Sequence, residues 1–378
     1  MTHHLLKKNL IFRKDLHMKL KGIKIGELIS KYPIIQGGMG VGVSLHNLAG
    51  NVAKEGGIGI ISTADIGYQD PEFEKNPMEA NLKAIKTEIE EARKIAPKGI
   101  IGVNVMVALT NYAEIVKECV KNKIDLIISG AGLPKDLPTF IKGTKTKIAP
   151  IVSSGRAAKL ISKMWISKYN YAPDMIVIEG PEAGGHLGFK PDELLPENKP
   201  KLEEITKDVL KEVKEIEKET GKEIPVVVAG GVFDGKDIAK YLKLGADGVQ
   251  MATRFVATKE CDASDAFKQA YVSAKKEDIK IIKSPVGMPG RAIRNEFIKK
   301  VESSKSKITR CYNCIKTCNP ANTPYCITKA LINSVKGNLE EGLIFCGSNV
   351  DKIDKIVTVK ELMQELVNGA EVELCLEN

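Results

Sequence analysis

Short apolar, β-branched runs that alternate with amphipathic stretches are the feature that most limits what this chain can fold into. The runs fall at 33–36, 59–62, 101–105, 126–129, 148–152, 175–179, 226–229 and 248–251, with helical patterns such as 81–95, 112–122 and 235–244 between them. A strand, a helix and a second strand in succession demand parallel pairing, because the helix carries the chain back to the end from which it started. Eight such units within about 250 residues favour a closed (β/α)8 TIM barrel over an open doubly wound sheet. The expected organisation is an α/β barrel over 1–305, with a helical insertion at about 189–223. A small Cys-rich C-terminal extension over 306–378 follows, with the boundary near 303–307.

A barrel gathers its chemistry at the C-terminal ends of its strands, so candidate residues can be tested by position. Gly37, Gly38 and Met39 follow the first run, Asn104 ends the third, and Glu179 opens a glycine-rich segment after the sixth. Gly230 and Gly231 follow the seventh run and remove side chains where backbone must approach a ligand. The eighth run ends in Gln250, Met251, Ala252 and Thr253, whose successive N–H groups and one hydroxyl can cap a phosphate. Two such loops on adjacent strands point to a phosphate-bearing ligand, either a flavin mononucleotide or a sugar phosphate. No Gly-x-Gly-x-x-Gly follows a strand in a dinucleotide-binding setting, and there is no Gly-Lys-Ser/Thr phosphate loop.

Gly184 and Gly185 precede His186 in the segment after the sixth run. Glycine there leaves the backbone free to lie against a flat ring, and histidine titrates near neutrality, so it can take a proton from a carbon acid or stabilise a developing anion. His46, in contrast, reads as a helix-surface residue. No second histidine or carboxylate stands near His186 at metal spacing, which argues against a metallohydrolase.

The net charge of +9 comes from 57 Lys and Arg set against 48 Asp and Glu, but the lysines are interspersed with glutamates along helices, so no nucleic-acid partner is expected. No apolar run approaches the roughly 20 residues of a membrane span, and the polar start, 1–8, lacks a secretory core, so the expected location is cytoplasmic.

The stretches 33–40, 102–104, 182–188, 229–231 and 245–255, in this order and at barrel spacing, resemble the nitronate monooxygenase family, formerly called 2-nitropropane dioxygenase. That family includes the FMN-dependent enoyl-acyl-carrier-protein reductases. The likeness spans about 23–295 and implies non-covalent FMN, with Asn104, Glu179, Gly184, Gly231 and Gln250 to Thr253 at the flavin and His186 as the catalytic histidine. Many nitronate monooxygenases carry Gln where this chain has Glu179, a position at which the enoyl reductases are more alike.

The leading expectation is therefore an FMN-dependent monooxygenase acting on nitronates or nitroalkanes with oxygen, with His186 as base. The alternative is an enoyl-ACP reductase fed by NAD(P)H, and a third reading is a flavin-binding scaffold whose tail docks a partner. The oligomeric state is open, a homodimer included. In the tail, Cys311, Cys314, Cys318 and Cys326 have spacing that can wrap zinc or an iron–sulfur cluster, against the alternative of reduced cysteines in a small helical cap.

Overall fold

The computed structural model describes residues 19–304 and 308–376; the polar start, 1–8, and residues 305–307 of the expected boundary lie outside them. Eight parallel strands close on themselves: β1 (Ile34–Gln36), β2 (Ile58–Ser62), β3 (Ile100–Met106), β4 (Leu126–Gly130), β5 (Lys147–Val152), β6 (Ile176–Glu179), β7 (Val226–Ala229) and β8 (Gly248–Met251). Each pairs with its sequence neighbour, and β8 returns to β1 through Gln250 opposite Ile35. All eight expected strands are present, and the fold is a TIM barrel.

The barrel interior is packed with branched side chains, among them Ile35, Ile58, Ile60, Leu126, Ile128, Val177 and Val227. A two-residue hairpin, Lys24–Ile25 against Leu28–Ile29, precedes the first barrel strand. It adds Ile23 and Ile25 to this cluster. Ile23 lies against Gly248 at the N-terminal end of β8, so the hairpin plugs the floor and leaves the opposite end for chemistry.

Seven helices follow the first seven strands in order: α1 (His46–Lys54), α2 (Pro77–Ile95), α3 (Tyr112–Lys121), α4 (Leu137–Phe140), α5 (Gly155–Tyr169), α6 (Leu202–Thr220) and α7 (Gly235–Leu244). Several begin where the sequence offers a capping oxygen. Asn76 accepts from the Glu79 N–H with Pro77 at the first helical position, Ser154 caps α5, and Asp234 caps α7. The expected insertion at 189–223 divides in two. Its helix, α6, buries Ile205, Val209, Val213 and Ile216 and packs against α5 and α7, so it is the barrel's own sixth helix. Only the loop before it departs from the repeat.

After β8 the chain makes one helical turn, α8 (Thr253–Val256), and leaves the ring. It forms α9 (Asp265–Ser273), a hairpin of β9 (Ile279–Lys283) and β10 (Pro289–Ile293), α10 (Glu296–Ser303) and α11 (Ile327–Val335) before returning as α12 (Val359–Cys375). Thr358 and Glu361 form a reciprocal capping box that starts α12. Its buried face, Val359, Leu362, Met363, Leu366, Val367 and Ala370, packs against α7 and α1. The approach to α7 is so close that a Cβ on Gly235 would lie 2.4 Å from the Ala370 nitrogen. The sequence places a boundary near 305, yet α12 lies beyond it in the eighth helical position of the barrel.

Truncating a fully buried residue of this closing helix removes apolar contacts that the rest of the ring cannot replace. Leu362→Ala is expected to lower stability by about 2–5 kcal/mol in chemical denaturation. Val372→Ala, on the half-exposed side of the same helix, should stay within about 0.5 kcal/mol of the parent. Equal effects of the two would show that α12 is not packed as described.

Candidate active site

A cavity of about 840 Å³ opens where the C-terminal ends of the strands converge. Gly38, Met39, Asn104, Glu179, Gly184, Gly185, His186, Gly230, Gly231, Gln250, Met251, Ala252 and Thr253 all line it. The strands deliver them: Asn104 from within β3, Glu179 at the end of β6, and Gln250 near the end of β8. The loop from Gly37 is stitched to β8 by its N–H, which donates to the Met251 carbonyl at 2.8 Å.

The paired glycines after β7 occupy a conformation that other residues avoid. Gly230 has φ of +93°, and a Cβ there would meet the Gly180 backbone at 2.8 Å. One wall of this cradle comes from far along the chain. Asn349 Nδ2 donates to the Gly231 carbonyl at 2.9 Å, and the Gly347 N–H donates to Thr253 Oγ1 at 3.1 Å. The Thr253 hydroxyl proton is thereby left for another acceptor.

The segment bearing His186 is held by main chain and by one arginine. Gly185–His186 forms a short strand antiparallel to β10, with His186 opposite Gly290 and Gly185 opposite Arg291. Arg291 is buried and donates to the Ala183 carbonyl and, at 2.8 Å, to the Pro181 carbonyl. The imidazole packs edge-on to Phe345, with ring centroids 5.0 Å apart, and Nε2 lies 2.7 Å from Ser284 Oγ. Burial depresses its pKa to about 4, so the ring is neutral at ordinary pH. The Glu179 side chain has no hydrogen-bond or ionic partner among the described residues, and burial pushes its carboxyl up to about 7. His46, expected on a helix surface, starts α1 half-buried with Nδ1 2.7 Å from Glu88.

Sequence reasoning missed the contribution of the late segments. Ser284, Arg291, Phe345, Gly347 and Asn349 lie far from the strand ends in sequence. The only local signal was the Gly347-Ser348-Asn349 turn after an apolar run.

The expected metal centre is not borne out. Among the described residues, no group of three or more His, Cys, Asp or Glu side chains is placed to hold a metal ion. The four cysteines share one neighbourhood, Cys314 facing Cys318 and Cys326, and Cys326 at the start of α11 facing Cys311 and Cys318, without the arrangement of a ligand set. Burial pushes the Cys314 thiol up to about 12. None of the four lines the cavity.

The mouth fits a flat, anionic cofactor. Gln250 Oε1 is buried without a hydrogen-bond partner among the described residues, an acceptor that a ligand's N–H would satisfy. The glycine cradle presents backbone in place of side chains.

The model of the nitronate monooxygenase family matches residues 23–369, and the chain belongs to that family. It is 31% identical to a probable nitronate monooxygenase of Staphylococcus saprophyticus, over 77% of this chain and 83% of the relative. It is 23% identical to (3aS,4S,5R,7aS)-5-hydroxy-7a-methyl-1-oxo-octahydro-1H-indene-4-carboxyl-CoA dehydrogenase of Rhodococcus jostii, over 90% and 93% of the two chains. Among solved structures, FabK from Thermotoga maritima superposes with a TM-score of 0.70 at 26% identity, covering 91% of this chain and 94% of that one. The protein is accordingly an enzyme, an oxidoreductase of the nitronate monooxygenase kind, from a family that is FMN-dependent in general. The scaffold reading gives way. No helix among the described residues is long and apolar enough to cross a membrane.

Glu179 makes the fold pH-sensitive in a defined direction. The folded carboxyl keeps its proton up to about pH 7, whereas the unfolded one loses it near 4.5. Its contribution to stability is therefore complete below 4.5 and is lost as pH rises through 7. In flavin-free protein, Glu179→Gln should gain on the parent by up to ~3 kcal/mol between pH 4.5 and 8. Denaturant midpoints at several pH values read this, and a gap that does not change with pH would refute it.

Proposed function

We propose that the protein oxidises alkyl nitronates, or nitroalkanes, with oxygen as final acceptor, on FMN held at the barrel mouth. The observation that carries this reading is a neutral, half-buried imidazole, His186, facing the same cavity as the glycine cradle. Gly230, Gly231, Ala252 and Thr253 would hold the phosphate through backbone N–H groups and one hydroxyl. Asn104, Glu179, Gly184 and Gln250 would hold the ring system, with Gly38, Met39, Gly185 and Met251 completing the walls. Bound FMN supplies the electron acceptor for the substrate.

The remaining chemistry belongs to the chain. His186 can hold the charged oxygen of a nitronate through a ring N–H, or take the proton of a nitroalkane on a ring nitrogen. An imidazole whose conjugate acid has a pKa near 4 is a weak base, so preformed nitronates should be the better substrates. Glu179, protonated below about pH 7, offers an O–H donor where an ionised carboxylate would repel an anion.

A second reading, an enoyl thioester reductase supplied with NAD(P)H, is favoured by the size of the cavity. At about 840 Å³ it lies near the upper end of single-ligand pockets, more than a small nitronate needs beside a flavin. The near full-length likeness to a CoA-ester dehydrogenase points the same way.

Anaerobic flavin reduction separates the two. Bleaching of the flavin by a nitronate alone supports the monooxygenase. Bleaching by NADH with recovery on adding an enoyl thioester supports the reductase, and protein that takes up no FMN refutes both. His186→Asn should retain the flavin and lose at least tenfold in kcat/KM on the productive substrate.

A further inference from the structure

Among the described residues, His186 meets one protein polar atom through its ring, and that contact bears on which nitrogen carries the proton. Nε2 lies 2.7 Å from Ser284 Oγ. Ser284 is 2% exposed, in the loop between β9 and β10, and its oxygen already accepts from the Val286 N–H at 3.3 Å. The loop itself is tied by the Ser284 N–H to the Met288 carbonyl and by the Gly287 N–H to the Ser284 carbonyl, and burial shields the hydroxyl from water. Its single proton has one acceptor in reach among the described residues, which is Nε2. If Nε2 instead carried the ring proton, the Ser284 oxygen would accept two N–H groups and its own O–H would be buried without a partner, an arrangement that native interiors avoid.

We propose that Ser284 is a positioning residue that donates its hydroxyl proton to Nε2 and so holds His186 as the Nδ1–H tautomer, presenting an N–H donor rather than a lone pair to the cavity. Nδ1 has no protein partner among the described residues, and His186 lines the cavity. The neutral ring then acts as a hydrogen-bond donor to a developing negative oxygen, as the second nitrogen is fixed by its own partner. This assignment deepens the functional reading above and rests on it for its catalytic meaning. Both substrate classes carry such an oxygen, on the nitronate group or on the thioester carbonyl as it becomes an enolate. Proton removal by His186 would require the other tautomer.

Nitrogen NMR of histidine-labelled protein, as purified with its flavin, tests the tautomer without any substrate. The chain has five histidines, and the His186 signals are those that vanish in His186→Asn. The expected result at pH 7.5 is a neutral ring protonated at Nδ1 in the parent and in Ser284→Thr, with a shift toward Nε2–H in Ser284→Ala. A parent ring protonated at Nε2, or a tautomer unchanged in Ser284→Ala, overturns the proposal. In turnover, Ser284→Ala should lose roughly 10- to 100-fold in kcat with KM little changed. Ser284→Thr should restore most of it. Of the two amide replacements, His186→Asn, which keeps an N–H near the Nδ1 position, should retain more activity than His186→Gln, and the reverse order counts against the proposal. If the tautomer is as expected and neither substrate class reacts, the functional reading fails while the assignment stands.

Discussion

The site depends on two residues of main chain. Gly185 and His186 leave the barrel loop to pair with Gly290 and Arg291 of β10, and this short antiparallel ladder fixes where the imidazole stands. Around it the supports interlock. Arg291 reaches back to hold the Pro181 and Ala183 carbonyls, Phe345 meets the imidazole edge-on, and Ser284 meets Nε2. A loop of glycines would otherwise sample many conformations, and ordering it costs about 1–2 kcal/mol per residue in backbone entropy. The hairpin of β9 and β10 imposes one geometry from outside the barrel.

Burial without charge partners is the second theme of the mouth. His186 and Glu179 both face the cavity where burial disfavours their charged forms, which keeps the imidazole neutral and pushes the carboxyl up to about 7. The charged side chains Glu182, Lys190 and Glu193 also line the cavity. Gln250 adds an acceptor that no atom of the described residues satisfies.

Much of the fold was legible in the sequence because parallel strands covered on both faces read as unbroken apolar runs. The residues at their C-terminal ends followed, since barrel geometry leaves little freedom about where a βα loop opens. What escaped was the path of the chain after β8. Amphipathic periodicity over 357–367 reads as one closing helix, but does not show that its face meets α1 and α7, because a long stretch of chain intervenes between that helix and β8. For the same reason Ser284 and Phe345 gave no signal of their role. The helix α6 was misjudged as an insertion because the irregular loop before it hid its place in the repeat. The cysteines misled in another way, for spacing can bring thiols into one neighbourhood without arranging them as a ligand set.

The late return of α12 has a consequence for how the molecule is made. While residues 257–358 are being synthesised, all eight strands already exist, yet the groove between α1 and α7 has no occupant. Until residue 375 has left the ribosome, the apolar flank that will receive Leu362 and Leu366 faces water. Closure then joins α1 to α12, a contact of very high sequence separation and correspondingly slow formation. Completion of the ring thereby waits for residues 359–375, and a chain interrupted before them would carry a sticky seam that the closed ring hides.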